Sequence, residues 1–155
     1  MRRIGSPVRY FAVRRGGGPT GQAGDVRTGA DERLEQARSL CEQAIFDGDI
    51  GRLTAADREP DAVEAALALA RGRVAHARFL DAREEDAAEL PLFEQAAQLY
   101  RSLGDVRGEG EALFWIGVFH QVVRDDHEAA VPILATSAEL AERIGGQVDE
   151  ARAVL

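Results

Sequence analysis

From Asp31 onward, apolar residues return every three or four positions, with charged residues filling the positions between them. That spacing matches the turn of an α-helix and gathers the apolar side chains onto one stripe. Nowhere does a run of alternating apolar and polar residues lie between hairpin-forming residues, so no strand competes. An all-α protein of antiparallel helices joined by short turns is expected.

The first helix is predicted over "DERLEQARSLCEQAIFDGD", with Leu34, Ala37, Leu40, Cys41, Ala44 and Ile45 inward and Gly48 as its stop. "IGRLTAADREP" reads as a connector. Asp61 and Glu64, just after Pro60, form a capping-box pattern opening a helix to about Leu80, with Val63, Leu67, Ala70, Val74 and Ala77 inward. Asp86 and Glu89 repeat the pattern ahead of a helix ending at Gly104, with Pro91 in its first turn. Asp105 caps a helix over 106–123, and Asp125 with Glu128 opens the next. Gly145–Gly146 should end that helix, leaving "QVDEARAVL" to start another that the chain does not complete.

Charge divides the chain unequally. Residues 1–30 hold six Arg and one Asp, net +5, whereas the other 125 residues hold 13 Arg and 26 acids, net −13. An acidic body repels phosphate, which argues against a nucleic-acid surface. All 19 basic residues are Arg, and with 27 Ala this is the coding signature of a GC-rich genome. The absence of Lys excludes Schiff-base chemistry and any phosphate loop that depends on Lys. Residues 1–29, rich in Gly and Arg, read as a disordered basic tail, an upstream-extended start or a weak basic arm. They show no apolar core of a secretory signal, and no segment of the chain has the ~20 apolar residues of a membrane span. The lone Cys41 permits no disulfide within the chain. A cytoplasmic protein with no membrane contact is expected.

The glycines of "LGDVRGEGEALFWIG", residues 103–117, admit two readings, a phosphate cradle or a corner between helices. Neither GxxxxGK[ST] nor GxGxxG occurs there, and a helix rather than a strand precedes it. "GGGPTGQAG" lacks the same context. The stretch is a joint: Gly104 ends one helix, Asp105 caps the next and Gly117 permits close helix contact. Gly108 and Gly110 imply a loose helix start or a neighbouring backbone pressed close.

The joints repeat. "LFEQAAQLYRSLGD" ends at Gly104, and "ILATSAELAERIGG" ends alike at Gly145, 41 residues further on. A looser match, 45 residues apart, aligns Gly72 with Gly117. Such self-similarity marks stacked helical repeats. The stretch "EALFWIGVFH…HEAAVPILATSAELAERIGG" resembles a tetratricopeptide repeat. Gly117 matches the small residue at the helix contact, Leu113 and Ile116 the apolar positions before it, and Ala130 and Leu134 the small and large residues of the second helix. His120 stands where that family prefers Tyr, Leu113 where it prefers Trp, and Ser137 where it prefers Ala. The period exceeds the family's usual ~34 residues, as in the long-repeat bacterial (actinobacterial) type. The resemblance covers about residues 61–155.

It implies a right-handed α-solenoid over residues 30–155, whose first helices line a concave groove. Carried onto this chain, Arg73, His76, Glu111, Phe114, Val118 and Gln121 would line that groove. The function implied is a non-catalytic, regulatory interaction module that binds a protein or peptide segment. The alternative is a sensor holding a small effector in the same groove. Ala151, Val154 and Leu155 would leave an open apolar edge, as expected of a fragment of a longer array or of a protein that self-associates there.

Catalytic and metal chemistry find no support. His76, His120 and His127 lie outside HExxH and have no second ligand at metal spacing. The acids Glu84, Glu85, Asp86, Asp125 and Asp126 cluster at turns, as caps do. His120 is expected between helices with one ring nitrogen bonded, and His127 on a surface turn. No cofactor, metal or catalytic residue is assigned.

Overall fold

The computed structural model describes residues 29–153, and the side chains of 29–146. It holds five α-helices: α1 (Gly29–Asp47), α2 (Gly51–Ala82), α3 (Glu89–Leu103), α4 (Val106–Val118) and α5 (His127–Ala153). A π-helical turn, Phe119–Val123, prolongs α4. No strand occurs among the described residues.

Each helix packs antiparallel on the one before it. Arg33 pairs with Glu59 and Arg52 with Asp47, which lays α1 along the first half of α2. Between α2 and α3, Gln95 bonds Glu64 at one end and His76 meets Glu89 at the other. Tyr100 lies over Gly108, and Arg101 pairs with Glu109, joining α3 to α4. Ser137 Oγ donates to the Gly110 carbonyl at 2.7 Å, joining α4 to α5.

The core lies where α2, α3 and α4 meet, around Ala68, Leu69, Phe93, Ala96, Ala112 and Ile116. Small residues set the spacing. A Cβ on Gly72 would stand 2.6 Å from Phe93 Cε1, and one on Gly117 would stand 2.5 Å from Leu134 Cδ2. Gly108 is filled in the same way by the ring of Tyr100. Of the two origins expected for Gly108 and Gly110, close approach is observed at Gly108. There it is the side-chain ring of Tyr100 and not a backbone, whereas a Cβ on Gly110 would meet only ordinary contacts, Leu140 Cβ at 3.5 Å and Ser137 O at 3.8 Å.

Several joints stand as expected. Gly48 and Gly104 take left-handed conformations, φ 68° and 71°, after α1 and α3. The Asp105 carboxylate accepts from Gly108 N at 2.9 Å and caps α4. Others differ. The predicted connector before Pro60 is helical, and α2 runs 32 residues with Pro60 inside it. Asp61 and Glu64 therefore cap nothing. The residues before Pro60 form good helical turns, and burial of Ala56 under α1 outweighs the hydrogen bond that Pro60 cannot donate. At the last turn the cap is Asp126, which accepts from Ala129 N at 3.0 Å, while Asp125 takes φ 53°. α5 continues through Gly145 and Gly146 to Ala153, so no separate helix begins at Gln147. The match of Gly145 with Gly104 thus ends in different backbone: one glycine lies inside a helix, the other closes one.

The inward stripe expected on α2 also differs. Leu67 and Val74 are exposed, and Ala65, Ala68, Leu69, Gly72, Ala75 and Phe79 form the buried face instead. On α1, Ala37, Leu40, Cys41 and Ala44 turn inward, but Leu34 and Ile45 do not. Of the disordered tail expected over 1–29, only Gly29 is described, and it is helical, opening α1. The rest of that expectation and the open edge at Ala151, Val154 and Leu155 lie outside the described residues or their side chains.

Candidate functional site

Side chains of α2 and α4 meet along one seam. Arg73 Nη1 lies 3.4 Å from Glu111 Oε1, and the Arg73 guanidinium stands 5.5 Å above the Trp115 ring. Behind it, Trp115 meets the His76 ring edge-on at 5.4 Å and stacks on Phe93 at 5.8 Å. Phe114 meets Trp115 edge-on at 5.7 Å. Rings at such separations add attraction beyond their buried area, and a guanidinium over an indole adds more. Trp115 is thus held by Arg73, His76, Phe93 and Phe114 and is half-buried.

The six residues expected to line a groove fall at different depths. Arg73 and Gln121 are exposed, and Glu111 and Phe114 are half-buried. Val118 and His76 are buried, His76 to 5% exposure. Helical spacing explains the shared face of Glu111, Phe114 and Val118. His76 departs from the expectation because it sits on the buried side of α2, between Phe79 and Trp115.

The partner of His76 is Glu89. Its Oε1 lies 2.7 Å from His76 Nδ1, and Glu89 is fully buried. Burial pushes the Glu89 carboxyl above the usual carboxylate range, partly offset by the His76 hydrogen bond. Asp86 and Glu85, at the α2–α3 turn, push it further in the same direction. Oε2 of Glu89 is buried with no hydrogen-bond partner among the described residues. Read as a cap from its spacing to Asp86, Glu89 instead reaches inward, and Ala88 N takes the Asp86 carboxylate at 2.9 Å. An acid three residues after Asp carries no mark that separates a cap from a buried partner. The later apolar run and the His thirteen residues earlier were the only signals.

Two further polar side chains hold elements together. Ser137 is committed to Gly110, and Arg124 ties the π-helical turn to Glu85. His120 packs edge-on against Phe119, but its Nδ1 is buried without a partner, and the hydrogen bond expected at one of its ring nitrogens is not seen among the described residues. His127 is exposed beside Asp125, at 3.4 Å. Among the described residues no three His, Cys, Asp or Glu converge in a way that could hold a metal ion. No helix there is long and apolar enough to cross a membrane. An open depression lies at the α2–α3 turn, lined by Arg78, Asp81, Glu84 and Asp86.

Comparison of the chain with protein families, with curated proteins and with solved structures finds no match.

Proposed function

We propose that this chain is a tetratricopeptide-like module, a right-handed stack of antiparallel helix pairs that binds a peptide or partner segment along the α2–α4 seam. One observation carries the reading. Gly72 and Gly117, 45 residues apart, do the same work on the first helix of each pair, admitting Phe93 from α3 and Leu134 from α5. Two pairs built alike, with their first helices touching through Arg73, Glu111 and Trp115, are the arrangement from which such a stack is made.

The seam then supplies two kinds of contact. Trp115 and Phe114 offer rigid apolar surface, and buried aromatic anchors dominate binding energy at such sites. Arg73, Glu111 and Gln121 offer charge and hydrogen bonds that select a register along the bound segment. His76 packs against Trp115 from behind, and Val118, on the face of Glu111 and Phe114, is buried. The role is non-catalytic and regulatory, in the cytoplasm.

The test is selection of binders from a displayed peptide library, followed by amide-shift mapping of the recovered peptides on the full chain. Shifts concentrated on α2 and α4 around Arg73 and Phe114 support the reading. Peptides that map elsewhere sink it. Small molecules that raise the melting midpoint where no peptide does would favour an effector-sensing role instead.

A further inference from the structure

His76 and Glu89 form a buried polar pair where α2 meets the start of α3. Nδ1 of His76 lies 2.7 Å from Oε1 of Glu89. Phe79 and Trp115 flank the imidazole. His76 is the hydrogen-bonding partner of Glu89, and Oε2 of Glu89 is buried with none among the described residues. A buried carboxylate with one bare oxygen is strongly unfavourable. One shared proton makes the pair neutral, whether it sits on Oε1 or on Nδ1. Released to water, that proton leaves an uncompensated negative charge inside the protein.

The surroundings work against that charge. Asp86 and Glu85, in the turn before α3, repel it. Arg124 of the π-helical turn is bonded to Glu85, and Arg73 of α2 is paired with Glu111, so neither is matched to Glu89. Arg78, Asp81 and Glu84 stand exposed at the rim of the same turn. From α4, the uncharged Trp115 ring meets His76. The way out is short. Glu89 is the first residue of α3 and follows residues 83–88, all of them exposed. Backbone bonds from Glu89 N to Asp86 O and from Leu92 N to Ala88 O hold this turn, and the ends of helices open at little cost. A carboxylate freed there stands in water at a helix N-terminus, where negative charge is favoured.

We propose that His76 and Glu89 form a proton-held latch: with its shared proton the pair fastens the start of α3 to α2 and seats Trp115, and loss of the proton as pH rises frees Glu89 into the turn and loosens Trp115. In the latched state His76 is pinned edge-on against the indole. In the released state His76 has lost its partner, and water reaches Trp115. Phe93 and Ala96 lie one turn and more further along α3, and the core around them stays closed. The latch governs a ring that the α2–α4 seam presents, yet it requires nothing to bind there, so it stands or falls apart from the binding reading.

Trp115 is the chain's sole tryptophan, so its emission reads the latch directly. The full chain is titrated from about pH 4.5 to about pH 9, with excitation where tyrosine does not absorb. A reversible red shift is expected as pH rises, with its midpoint above the ordinary glutamate value of about 4.3 and most of the far-UV helical signal kept. Glu89→Gln keeps the hydrogen bond but holds no titrating proton, and is expected to lose the shift. Asp86→Asn keeps an acceptor for Ala88 N and removes a repelling charge without touching the interior, so it should move the midpoint to lower pH. Above the wild-type midpoint, the Leu92 amide should exchange at least about tenfold faster than in Glu89→Gln at the same pH. A flat wild-type titration, a shift kept by Glu89→Gln, a midpoint that Asp86→Asn leaves or raises, or equal Leu92 exchange would overturn the proposal. So would a shift that takes the helical signal with it, because that is global unfolding.

Discussion

Phe93 occupies the place a side chain at Gly72 would take, its Cε1 2.6 Å from where a Cβ would stand. The ring is fully buried and stacked on Trp115, so it has nowhere to retreat. Gly72→Ala therefore overpacks the core by about 1–3 kcal/mol, against roughly 1 kcal/mol gained in helix propensity. A lower midpoint of urea unfolding is expected, with recovery when Phe93→Leu is added. A midpoint at or above wild type would place the α2–α3 contact elsewhere.

Glu89 gives stability a pH dependence of definite sign. Its folded carboxyl is held above the usual range by burial, so in the folded state it binds its proton more tightly than in the unfolded chain, where about 4.3 is ordinary. Its contribution is complete below that unfolded value and is lost as pH rises through the raised folded one. Glu89→Gln keeps a hydrogen-bonding partner for His76 and removes this slope. Unfolding free energies of wild type and variant, measured from pH 4 upward, should differ increasingly in the variant's favour as pH rises. A difference that shrinks with pH contradicts a raised carboxyl.

Pro60 interrupts the hydrogen bonds of α2 while exposed to solvent, so its cost is one of backbone alone. Pro60→Ala restores a donor toward the Ala56 carbonyl and should stabilise the protein by about 1–3 kcal/mol, reduced somewhat by the freer unfolded chain. Thermal unfolding reads it as a higher midpoint. A lower midpoint would mean that α2 bends at this residue for a reason of its own.

Asp105 and Asp126 each hold one otherwise orphaned amide, at Gly108 and Ala129. Replacing either with Ala should cost about 1 kcal/mol in chemical unfolding, and the two losses should add, since the caps share no partner. A neutral Asp126→Ala would move the start of α5.

The helical character, the stops at Gly48 and Gly104 and the cap at Asp105 were legible because each depends on local chemistry. A left-handed glycine after a helix and a carboxylate before one leave their marks in sequence. The start of α2 was not legible, because Pro60 reads as a boundary and only the packing of Ala56 under α1 shows otherwise. The orientation of α2 was misread for a related reason. Both of its faces are apolar, and spacing alone does not say which one α3 will cover. Gly145 and Gly146 looked like a helix end, yet no left-handed residue stands there and α5 passes through. At the seam Arg73 meets Glu111 and Phe114 meets Trp115, whereas Gln121 sits in the π-helical turn after α4, which spacing did not reveal. His76 and Glu89 find each other only in three dimensions.

The central claim is that a partner segment is read by the α2–α4 seam. It is tested most directly by the Kd of a library-selected peptide for the full chain, for Arg73→Glu, for Phe114→Ala and for Val131→Ser, an exposed α5 position away from the seam. The account predicts losses of about tenfold or more for the first two variants, in keeping with anchor and charge contacts, and none for the third. Equal Kd for all four proteins would contradict it.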